Sequence, residues 1–156
     1  MTSNNENYAL TLCPVGTDLQ AARQDSSQWL QAVTEQQGIG RLYEYAMGAC
    51  ILRGVRAEEE GLVMTAAALF AELRQDFPRL SLAEVGYAIK RGCFEKYGDV
   101  YGINAVSLYK MVQGYLAERR LADEERMQAL RQREFNEKAR QWLANRPSYK
   151  PSTLGK

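Results

Sequence analysis

Residues 81–115, SLAEVGYAIKRGCFEKYGDVYGINAVSLYKMVQGY, carry a full set of local instructions for two helices and the turn between them. Ser81 and Glu84 form an S-x-x-E pair, in which the hydroxyl caps the third helical amide and the carboxylate returns to the cap's own amide. Leu80 and Val85 flank the cap as a hydrophobic staple. Leu82, Val85, Ile89 and Cys93 then follow at helical spacing, and Tyr97 extends the same face by one more turn. Gly98 offers a left-handed stop, Gly102 a second permissive point, and Asn104 a cap for the next helix. Ile103 and Leu108 form a second staple, and Leu108, Met111, Val112, Tyr115 and Leu116 renew the pattern. The expectation is a helix, a glycine-bounded turn and a second helix.

The chain has 156 residues, 46% hydrophobic and 25% charged, the ordinary balance of one globular domain with a real core. It contains no histidine, which removes the commonest general base and metal ligand. Cys13, Cys50 and Cys93 are odd in number and far apart, so reduced thiols are expected rather than a disulfide framework or a zinc site. No stretch resembles a signal peptide or reaches the roughly 20 apolar residues of a membrane helix, so the protein is expected in the cytoplasm, with no membrane, metal or cofactor.

Along the chain, residues 1–16 read as a flexible or strap-like start whose most β-leaning piece is 8–15. Residues 17–145 read as a single helical domain and 146–156 as a disordered basic tail. Thr17 and Gln20 suggest a short helix. Ser26 or Ser27 suggests another, carrying Trp29, Leu30 and Val33 and interrupted at Gly38 and Gly40. A helix over 41–53 should end at Gly54. Glu58, Glu59 and Glu60 favour a helix start, and Leu62, Ala66, Leu69, Leu73 and Phe77 give its buried face before Pro78 stops it. No Gly or Pro occurs between Gly114 and Pro147, and the composition there favours a long helix. Its apolar residues hold no strict heptad face, so no coiled coil is expected, and Glu134 with Lys138 forms one favourable i,i+4 pair. The fold expectation is therefore all-α: a compact bundle of five or six helices with a central helix-turn-helix-like pair and a long C-terminal helix.

Chemistry is less legible than architecture. The turn from Tyr97 to Gly102 lacks the basic partner and the fingerprint of a phosphate loop. A helix-turn-helix reader would present Asn104, Ser107, Lys110 and Gln113, but residues 81–116 carry only four basic against three acidic side chains. No spacing selects a nucleophile, and Cys93 lies on the apolar stripe. Charge instead accumulates late. Residues 126–156 hold eight Lys or Arg against Glu134 and Glu137.

Residues 77–119, with a proline after an aromatic, the Leu-Ser-Leu cap, Glu84, Tyr97-Gly98, Tyr101-Gly102, Tyr115 and Arg119, resemble a known group. They are similar to small helical proteins of unassigned function from phage and mobile-element genes of gut bacteria, with Met111 where those often carry tryptophan. The resemblance implies DNA-associated housekeeping of such elements, for instance a replication accessory factor. The leading expectation is a non-enzymatic module that meets nucleic acid or an acidic protein through Lys110, Arg131, Arg133, Lys138, Arg140, Arg146 and Lys150. The alternative is a structural or assembly protein that dimerises or docks on a protein partner through Phe135, Trp142 and Leu143.

Overall fold

Among the described residues five α-helices follow in chain order: α1 (Gly16–Gln24), α2 (Glu35–Arg53), α3 (Glu59–Asp76), α4 (Leu82–Cys93) and α5 (Ala105–Ala144). The computed structural model describes residues 16–147. Among these there is no β-strand, only a single antiparallel bridge between Trp29 and Ser81. The chain divides into two units, Met1–Ala117 and Glu118–Lys156, with the division inside α5. The strap expected for residues 1–16, its β-leaning piece and Cys13 lie outside the described residues, apart from Gly16, which opens α1.

In the first unit the core is built on α2, α3, α4 and the start of α5, with Leu42, Leu62, Leu69, Leu73, Ile89 and Leu108 fully enclosed. The Ser81 capping box forms as expected, with both reciprocal bonds present. Gly54 ends α2 in the left-handed region at φ 63°, where glycine carries no Cβ penalty. The glutamates lead α3, and Phe77 and Pro78 follow its end.

Three local expectations need correction. Ser26 and Ser27 do not start a helix carrying Trp29, Leu30 and Val33. They lie in a 3-10 turn, Ser26–Gln28, capped by Asp25, whose Oδ1 accepts from the Ser27 amide at 3.0 Å. Gly38 and Gly40 do not interrupt a helix either. A Thr34 and Gln37 capping box starts α2, which then runs straight through both glycines. At Gly38 the missing side chain has a use, since a Cβ there would stand 2.1 Å from the Phe70 ring.

The third correction concerns the end of α4. It stops at Cys93 rather than near Gly98, because Glu95 takes the left-handed stop at φ 58°. The Lys96 amide donates to the Arg91 carbonyl and the Glu95 amide to Gly92, the two bonds of a Schellman cap. Arg53, from the end of α2, holds this uncommon conformation. Its guanidinium donates to the carbonyls of Cys93 (3.2 Å) and Val100 (3.1 Å) and pairs with Glu95 at 3.1 Å. The connection into α5 is thereby pinned at both ends. Asn104 then caps α5, its Oδ1 accepting from the Ser107 amide at 2.9 Å while Ser107 Oγ accepts from the Asn104 amide at 3.0 Å.

A buried polar network fixes α1 and α5 on α4. The Glu84 side chain is 1% exposed. Its Oε1 accepts from Arg23 Nε at 2.8 Å and from the Tyr115 hydroxyl at 2.8 Å. Its Oε2 accepts from the Ser81 amide and hydroxyl, each at 3.2 Å. The Tyr115 hydroxyl in turn accepts from Arg23 Nη2 at 2.5 Å. One carboxylate thus serves both the cap of its own helix and the attachment of two others.

Burial, and the neighbouring Glu84 carboxylate, push the Tyr115 phenol up to about 12, with Arg23 opposing. An exposed tyrosine titrates near about 10, so folding favours the protonated phenol. Its contribution is complete below about pH 10 and is lost as pH rises from there towards about 12. Urea midpoints measured across that window should fall in the wild type and fall less in Tyr115→Phe.

Candidate nucleic-acid interface

The basic residues from Arg119 to Arg140 lie on one uninterrupted helix. Good helix formers carry α5 to Ala144, and Pro147 cannot continue it. From residue 120 to 147 every residue is exposed except Ala139, which is partly covered. Near the start of this segment the arginines are paired within the helix, Arg119 with Asp123 at 3.8 Å and Arg120 with Glu124 at 3.6 Å. Further along they are unpaired. Among the described residues, Arg126, Arg131, Arg133, Lys138 and Arg140 enter no ion pair, so the bridge expected between Glu134 and Lys138 is absent.

Helical phase sorts these residues into rows, because positions seven apart differ by only about 20° around the axis. Arg126, Arg133 and Arg140 form one row, which Arg119 begins. Arg131 and Lys138 form a second. Leu121, Gln128, Phe135 and Trp142 form a third. The first and third rows are offset by two residues, hence about 160° apart and on nearly opposite sides of the helix. The second row borders the third. The expected contacts are therefore not one patch: Arg133 and Arg140 face away from Trp142, whereas Arg131 and Lys138 flank it.

The remaining expected residues have other surroundings. Arg146 stacks its guanidinium over the Trp142 ring, 5.4 Å from the centroid. Lys150 lies outside the described residues. Lys110 belongs to the first unit, where it helps line a groove of about 680 Å³ with Met64, Tyr101 and Val106. Phe135, Trp142 and Leu143 are 67%, 65% and 60% exposed. Arg126 is the residue that sequence reasoning missed. Its signal was present in the spacing of seven that joins it to Arg133 and Arg140.

Several other chemistries find little support. Cys50 and Cys93 are buried, and burial pushes the Cys93 thiol up to about 11, away from the thiolate a nucleophile needs. Asn104 and Ser107, which a helix-turn-helix reader would offer to bases, are engaged with each other in the α5 cap. Among the described residues no cluster of metal-ligating side chains occurs, and no helix is long and apolar enough to cross a membrane. Comparisons with protein families, with curated proteins and with solved structures found no match for this chain.

Proposed function

We propose that this protein is a non-enzymatic binding module whose basic helix contacts nucleic acid along the phosphate backbone. The observation that carries this reading is the row Arg126, Arg133 and Arg140, exposed and without ion pairs among the described residues. Successive members stand about 10 Å apart along the axis, so each can reach a different phosphate. Arginine suits the task because its planar guanidinium offers paired donors to phosphate oxygens and keeps its charge. Arg131 and Lys138 add charge from the neighbouring row. Contacts of this kind tolerate many sequences. An accessory role in the DNA metabolism of a mobile element, implied by the resemblance of residues 77–119, is the setting proposed for it.

The test is fluorescence anisotropy with labelled duplex and single-stranded DNA. The combined variant Arg126→Gln, Arg133→Gln and Arg140→Gln should weaken binding by about 100-fold at moderate salt, since each lost phosphate contact removes a similar increment. Arg41→Gln, which deletes an exposed cation paired with Glu44 in the first unit, should change little. Equal binding by the wild type and the combined variant would contradict the proposal.

A further inference from the structure

We infer that the exposed helix of the second unit pairs antiparallel with the same helix of a second copy of this chain. The contact runs along the row Leu121, Gln128, Phe135 and Trp142. Leu121, Phe135 and Trp142 are 56%, 67% and 65% exposed, on a segment where nearly every other side chain is also in water. Glu118, Glu125, Gln132 and Ala139 precede each row member by three residues and complete a seven-residue repeat beside it. Ala122 and Ala129, one position after Leu121 and Gln128, are small enough to let a second helix come close.

Charge decides both the occupant and the direction. Residues 118–125 hold Glu118, Asp123, Glu124 and Glu125 against Arg119 and Arg120, a net of −2. Residues 126–146 hold Arg126, Arg131, Arg133, Lys138, Arg140 and Arg146 against Glu134 and Glu137, a net of +4. A parallel pair would set Glu118 against Glu118 and Glu125 against Glu125, like charge facing like in its first half. Reversing one copy brings the acidic end of each helix against the basic end of the other. With Leu121 level with Ala139 of the second copy, Glu124 meets Lys138 across the pair, twice by symmetry. Glutamines at 128 and 132 meet at the centre, and Arg131 faces its own copy beside them, so this layer fixes register at the expense of affinity. The row Arg126, Arg133 and Arg140 lies on the far side and stays open. This inference does not depend on nucleic-acid binding.

Sedimentation equilibrium of the full chain, up to about 200 µM, tests it. The expected result is a reversible monomer–dimer equilibrium, abolished by Phe135→Ala with Trp142→Ala while the helical circular dichroism of the first unit persists. Lys138→Glu or Glu124→Lys alone should weaken the dimer about threefold to tenfold at low salt, and the two together should restore it. These residues are fourteen apart in one helix, too far to meet within a single chain, so restoration requires an antiparallel partner. A monomer at every concentration, a dimer indifferent to Phe135 and Trp142, or a charge swap without restoration would each overturn the inference.

Discussion

Arg23→Met should destabilise the protein by about 3–5 kcal/mol, the range for breaking a buried ion pair by removing one member. The cost falls on the residue left behind. Glu84 is 1% exposed, whereas the Arg23 side chain is 24% exposed and can reach water. Without the guanidinium, the carboxylate keeps its bonds from Ser81 and Tyr115 but loses the ion pair and the bond from Arg23 Nε. The opposite deletion is milder. Glu84→Gln removes the buried charge and leaves an arginine that can hydrate, so it should cost less than Arg23→Met. The double variant should recover much of the loss. Urea denaturation of the four proteins measures the cycle, and strict additivity would mean that the two side chains are not coupled. Whole domains are stable by only about 5–15 kcal/mol, so Arg23→Met alone threatens the folded state.

Gly38→Ala should destabilise by about 1–3 kcal/mol, although alanine is the better helix former. The added Cβ would stand 2.1 Å from Phe70 Cε2 and 2.6 Å from Cδ2, and Phe70 is buried at 3% exposure. Two residues on, Gly40→Ala is predicted to do the reverse. Nothing lies within 4 Å of a Cβ at Gly40, so the ordinary helix preference should stabilise by about 0.5–1 kcal/mol. Thermal melts of both variants check the sign. Stabilisation of both would mean that α2 and α3 do not pack through Phe70.

Much of this architecture was legible because helix ends are encoded locally. The Ser81 and Glu84 box, Gly54, the glutamates before α3, Pro78 and the Asn104 cap each act within a few residues. What was not legible depends on distant partners. Gly38 reads as a helix breaker until Phe70 fills the space beside it. Gly98 reads as the end of α4 until Arg53 is seen holding Glu95 in the left-handed region. Arg23 lies 61 residues from Glu84 and 92 from Tyr115, and no local pattern connects them. In the basic segment the cations were evident and their grouping was not. Composition reports charge, but only helical phase separates Arg133 and Arg140 from the side that carries Trp142.

The basic helix as a nucleic-acid contact is tested most directly by duplex affinity across a salt series, for the full chain and for a chain ending at Glu125. That truncation removes none of the buried residues of the first unit. Each neutralised phosphate contributes about −0.9 to the slope of log affinity against log salt, so three to five contacts predict a slope of about −3 to −5. The account predicts that slope for the full chain and its loss on truncation. A slope near zero, or the same affinity and slope for both chains, would contradict it.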